Sequence, residues 1–194
     1  RDSGYADHAG AIKAMFARRR QRIHPPDFGN STSMVSVPLS EVAGAVDSVR
    51  RVLAAVEYRG IFSVEFKRDE RDGEFKLLEI NARPWWFVDF AVRCGVDVCR
   101  LAYDDAHGCE VSAVETYLTG KTCIFPYHDF YPMQSLVAAK QTSWWRWLVE
   151  ISRALQPVGC ADDPMPAVVG TTRLVKQSLK KRLTRGARSS RPGS

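Results

Sequence analysis

Residues Gly60 to Trp85 read GIFSVEFKRDERDGEFKLLEINARPW, and this stretch decides the fold class. Ile61 to Lys67 and Glu74 to Asn81 are two strand-like runs around a charged turn, Arg68-Asp69-Glu70-Arg71-Asp72-Gly73. Asp-Gly in a polar loop between two such runs is a hairpin signal. Side chains alternate along a strand, so Phe62, Val64 and Phe66 take one face while Ser63, Glu65 and Lys67 take the other. On the second strand Leu78 and Ile80 share a face, opposite Glu79 and Asn81. Matching the apolar faces of the two strands brings Glu65 to the side of Glu79 and Asn81.

Two carboxylates and a carboxamide converging there make a hard, all-oxygen site of net charge about −2, the kind that Mg²⁺ favours when waters and substrate phosphates complete its shell. Arg83 follows two residues on and faces the same space, where a guanidinium could hold a phosphate or carboxylate bidentately. Spacing alone leaves a second reading open. An exposed hairpin with its glutamates in solvent shows the same alternation.

Around the hairpin the chain reads as a mixed α and β protein. Ala11 to Ile23 is a strand running into a basic stretch, broken by Pro25-Pro26-Asp27-Phe28-Gly29-Asn30-Ser31. Met34 to Val37 is a short strand. Leu39, Val42, Val46, Val49, Leu53 and Val56 step by three and four, the apolar stripe of a helix lying on a sheet, with Ser40 as its N-cap. Two helices should end near Gly95 and Gly108, each glycine suited to a left-handed cap. Cys123 to Tyr127 suggests a strand, and Ser143 to Leu155 an amphipathic helix. Asp162 to Pro166 reads as a linker, followed by a basic helix to about Leu183. The expected class is α+β: an antiparallel sheet with packed helices over residues 1–110, a mostly helical extension over 111–184, and a disordered basic tail over 185–194.

Composition narrows the function. The chain has 194 residues, 45% of them hydrophobic and 26% charged, which is ordinary globular usage and excludes a collagen-like or wholly disordered chain. No apolar run approaches the roughly 18–20 residues of a membrane span. The formal charge is +6, but seven basic residues and no acid lie between Lys176 and Ser194. Setting those seven aside from the 28 lysines and arginines leaves 21 against 22 acids, so the body is near-neutral and nucleic acid is not the expected partner. Five cysteines without a CxxC pair predict buried, reduced thiols and a cytoplasmic protein. The opening Arg1-Asp2-Ser3-Gly4 has neither an initiator Met nor a signal peptide, and the chain is expected to be cut from a longer one.

Arg18 to Arg22 form a second constellation. Alternation sends Arg18, Arg20 and Arg22 to one face and Arg19 to the other, giving an anion cradle for a substrate carboxylate or for phosphates. Arg20 and Arg22 are the expected substrate-binding residues because they lie next to the turn. A solvated basic edge strand is the alternative.

Glu65, then thirteen residues, then Glu79-Ile80-Asn81-Ala82-Arg83 resembles the metal-binding end of the ATP-grasp superfamily. Phe16 to Pro26 followed by Phe28-Gly29 resembles the arginine-rich strand and Pro-Pro turn of its carbamoyl-phosphate-synthase-like branch. Gly95-Val96-Asp97 through Leu101-Ala102-Tyr103 resembles the helix that closes the same domain, so the resemblance covers roughly residues 5–108. It implies that Glu65, Glu79 and Asn81 bind Mg²⁺ (with Mn²⁺ as the alternative ion) and thereby ATP. It further implies that Arg83 is catalytic, stabilising the transferring phosphoryl group or an acyl-phosphate. The implied parent is a ligase joining a small-molecule carboxylate to an amine. The family's upstream phosphate-binding lysines have no match here, since Lys13 is the only lysine before Lys67. The missing N-terminal part of the same protein is therefore an expected partner, and this chain alone is expected to be inactive.

Two readings compete with this one. Trp85-Trp86-Phe87 should pack a helix that starts at Pro84 against the sheet, while Trp144, Trp145 and Trp147 cannot all share one helix face. A non-catalytic interaction module would use these tryptophans and the basic tail to hold a partner. A nucleic-acid binder would rely on Lys176 to Arg191 and bind with steep salt dependence.

Overall fold

The computed structural model describes residues 1–26 and 29–157 and, beyond them, 163, 165, 166, 168–170 and 172. Six strands form one antiparallel sheet: β1 (Asp2–Ala6), β2 (Ile12–His24), β3 (Asn30–Val37), β4 (Gly60–Arg68), β5 (Phe75–Asn81) and β6 (Thr122–Ile124). Their order is β5-β4-β1-β2-β3-β6. The helices are α1 (Ala43–Ala55), α2 (Val88–Arg93), α3 (Val98–Ala106), α4 (Pro126–Ala138) and α5 (Trp144–Arg153). The class is α+β, with the sheet as its frame.

Helix α1 covers one face. Its Val46, Val49 and Leu53 bury against Met15, Phe62 and Val64, which are alternate residues of β2 and β4. The stripe read from spacing is the packed one, each such aliphatic side chain contributing about 1.5–3 kcal/mol when fully buried. Its two ends differ from expectation. Leu39–Val42 is a 3-10 turn entered from Pro38, with no side-chain cap bond from Ser40, and Val56 lies exposed past the helix end. The other face carries the larger core, where Phe16, Met34, Phe90, Val96 and Val98 pack with Trp85 and Phe87. Helices α2 and α3 end as expected, with Gly95 and Gly108 at φ of +100° and +75°.

Strand β1 has no hydrophobic signature, yet it is the strand between β4 and β2. Asp2, Ser3 and Gly4 are all buried there. Glycine is required at position 4, because a Cβ would stand 2.1 Å from the Ala14 carbonyl oxygen and 2.7 Å from Phe62 Cζ. Ser3 Oγ donates to Ser63 Oγ at 3.2 Å, which satisfies two hydroxyls inside the sheet.

Residues 122–124 belong to the same sheet. Strand β6 pairs with β3 over three residues, and Phe125 N–H donates to the Thr32 carbonyl. The strand expected from Cys123 to Tyr127 stops at Ile124, because Pro126 opens α4 at its first turn. Ser143 caps α5 by accepting from Arg146 N–H. Four cysteines are described: Cys94 and Cys123 are buried as thiols should be, but Cys99 and Cys109 are exposed, contrary to expectation. Of the Asp162–Pro166 linker, Asp163, Met165 and Pro166 are described, the last two as helical, whereas most of the basic helix, Cys160 and the tail 185–194 lie outside the described residues. Among the described residues no helix is long and apolar enough to cross a membrane.

Candidate active site

The hairpin register sets the site. Strands β4 and β5 pair Ser63 with Asn81 and Glu65 with Glu79, and the register then slips between Glu65 and Phe66. The glutamates are therefore direct cross-strand neighbours on one face. Two like charges so placed repel, which creates a demand for a cation between or beside them. The turn is closed by Asp69 N–H donating to the Glu74 carbonyl at 2.8 Å, with Gly73 at φ +74°. The apolar residues of β5 are less buried than face-matching suggests: Leu78 and Ile80 are exposed, because β5 is an edge strand.

Part of the needed positive charge comes from the protein. Glu65 forms ion pairs with Arg1 and with Arg20, the latter at 2.5 Å. Glu79 makes no ion pair among the described residues. A cleft of about 170 Å³ runs beside them, its walls including Glu65, Glu79, Asn81 and Arg83 together with Arg18 and Trp85. Arg1 lines it too, so three arginines face two glutamates, a surplus of one positive charge. The bare site is thus not the −2 centre that the hairpin alone suggests. A wider groove of about 1100 Å³ continues past Arg20 and Lys67 and shares the same glutamates.

Pro84 does not start a helix. Residues 82–87 are irregular and α2 begins only at Val88, which leaves Trp85 and Phe87 as the inner wall of the cleft and Trp86 half exposed. Arg83 lies exposed at the rim and donates to the Pro84 carbonyl at 3.2 Å.

The arginines of β2 part company. Arg20 reaches Glu65, whereas Arg22 is carried away from the hairpin. Its Nε and Nη2 bind the Asp129 carboxylate at 2.8 Å and its Nη1 lies 3.1 Å from Glu150. Burial works against the Arg22 charge, but the two carboxylates outweigh it and hold its pKa above the usual value. Asp129 is fully buried and also accepts from Thr32 Oγ1 at 2.6 Å and Trp147 Nε1 at 2.8 Å. Arg19 pairs with Glu41 on the opposite side, as alternation requires.

Arg18 belongs to the cradle read from alternation, although Arg20 and Arg22 are the binders the sequence favours. Its side chain is buried, with 3% of the residue exposed, its guanidinium carbon 6.0 Å from the Trp85 ring and 5.4 Å from Phe87. The signal was present in the alternation of Arg18, Arg20 and Arg22. What could not be seen was which of the three would find a carboxylate.

A divalent ion fits the donor set. Mg²⁺ is commonly held by one or two carboxylates with the rest of its shell from water and phosphate, and two carboxylates with a carboxamide meet that description. No group of three or more His, Cys, Asp or Glu side chains gathers among the described residues, so the protein's share of such a shell is this sparse one.

No protein-family model matches the chain. A stretch of 58 residues is 34% identical to D-aspartate ligase of Enterococcus faecium (strain Aus0004), covering 30% of this chain and 14% of that enzyme. The likeness points at the coarse level to a ligase and fits the ATP-grasp resemblance loosely, without reaching any one branch.

Proposed function

We propose that this chain supplies the metal- and nucleotide-binding hairpin of an ATP-grasp ligase that joins a carboxylate to an amine. The carrying observation is the Glu65–Glu79 cross-strand pair with Asn81 beside it, bordered by arginines. Mg²⁺ bound there would neutralise charge on the phosphoryl group in transfer. Glu65, Glu79 and Asn81 would hold that ion, and Arg20 would keep Glu65 in place. Arg83, at the rim and free of a carboxylate partner among the described residues, would meet the migrating phosphoryl group. In the reaction a substrate carboxylate oxygen bonds to the γ-phosphorus of ATP as ADP leaves. The amine then bonds to the acyl carbon and inorganic phosphate departs. The branch is open, and the substrates are those of the whole protein, of which this chain need be only a part.

The test is calorimetric titration of Mg²⁺–ADP into the full-length protein and into its Glu79→Ala/Asn81→Ala form. Loss of the carboxylate and carboxamide oxygens that would hold the ion should weaken binding by about 100-fold or more. Equal binding by both forms contradicts the assignment.

A further inference from the structure

The cleft is rich in hydrogen-bond donors that lack acceptors. Arg18 Nε and Nη2 and Trp85 Nε1 are buried and make no hydrogen bond among the described residues. Arg18 Nη1 donates only to the Met34 thioether at 3.3 Å, a weak acceptor. Its four arginine neighbours Arg1, Arg19, Arg20 and Arg22 each have a carboxylate, and Arg18 makes no ion pair among the described residues. A buried guanidinium with two idle nitrogens, three N–H donors in all, is costly to keep for stability alone. Burial, and after it the nearby Arg1 charge, lower its pKa to about 9, so it still carries its proton at neutral pH. The aromatic rings of Trp85 and Phe87 fix the guanidinium from the side, which leaves its idle edge for something oxygen-rich.

We propose that Arg18, with the Trp85 indole N–H beside it, is a receptor for a small oxyanion, a carboxylate or a phosphoryl group, seated next to the Glu65–Glu79 hairpin. A planar guanidinium offers two parallel donors to either group, and an indole N–H can add a third. Where the ligase reading holds, the oxyanion is the carboxylate of the acid substrate or the phosphoryl group it receives. The receptor itself needs neither metal nor nucleotide.

That independence shapes the experiment. Succinate and inorganic phosphate, without metal, are titrated calorimetrically into the full-length protein, its Arg18→Met form and its Arg18→Lys form, and each form is melted. Arg18→Met should melt at least as high as the parent, because it removes an unpaired buried charge, and should bind the oxyanion about tenfold or more weakly. A loss confined to succinate assigns the seat to a carboxylate, and a loss confined to phosphate assigns it to a phosphoryl group. Should Arg18→Met not fold, Arg18→Lys decides, since it keeps the charge and loses the planar fork; it should bind at least about fivefold more weakly. Binding of both probes unchanged by these substitutions, or no binding by the parent, overturns the proposal. Failure of the Glu79→Ala/Asn81→Ala test would leave this result standing, so the two claims fail separately.

Discussion

Arg18 and Arg22 stand four residues apart on one strand and have opposite fates. Arg22 is clamped by Asp129 and Glu150, so that α4 and α5 are tied to the sheet through a buried carboxylate whose contacts come from three other elements, β2, β3 and α5. Arg18 is more deeply buried and makes no ion pair among the described residues. The first arrangement satisfies its own polar groups and therefore holds structure. The second leaves donors waiting beside the hairpin, whose Glu79 makes no ion pair among the described residues. A fold keeps such a group where a ligand completes it, which is why we place the proposed ligand in the cleft and not at the α4–α5 junction.

The largest expected effect falls on the paired end. Asp129→Ala strands Arg22 in a buried setting and removes the acceptor of Thr32 and Trp147, and it should cost about 3–5 kcal/mol in denaturant unfolding. A cost near zero would break the contrast, because the junction would then not depend on its carboxylate. Arg18→Met should have the opposite sign, neutral or stabilising by up to about 4 kcal/mol, since the charge it removes makes no ion pair among the described residues. A large destabilisation would make Arg18 a structural arginine like Arg22.

The smallest effect sharpens the picture at a third site. His8 Nδ1 lies 2.6 Å from Asp105 Oδ1, tying the turn after β1 to α3, and this bond raises the His8 pKa above its usual value. A raised histidine stabilises the fold in its protonated form. That contribution is fully present below about pH 6.5 and fades as pH rises through the folded value. An NMR titration should show His8 titrating above the ordinary imidazole range and returning towards it in Asp105→Asn. No difference between the two would remove this contact from the account.

What could be read from the sequence follows physical lines. The hairpin was legible because strand alternation fixes which side chains share a face, but the slip between Glu65 and Phe66 that sets Glu65 opposite Glu79 was not. The α1 stripe was legible for the same reason. Strand β1 was not, since Asp2, Ser3 and Gly4 are polar or bare and are buried only because β2 and β4 flank them. Helix α4 was hidden by Pro126 and the internal Pro132, residues that ordinarily signal a break. The division between Arg18 and Arg22 was hidden most deeply. Alternation gives a side chain its face, but Asp129 and Glu150 arrive from more than 100 residues away.

The central claim is that the hairpin, and not the arginine–carboxylate junction, takes a metal–nucleotide complex. Mn²⁺–ADP added to isotope-labelled full-length protein tests this directly, because the paramagnetic ion broadens only nearby backbone signals. The account predicts that the amide signals of Glu65, Glu79 and Asn81 vanish first while those of Arg22, Asp129 and Trp147 stay sharp. Broadening centred on Asp129, or none at the hairpin, would contradict it.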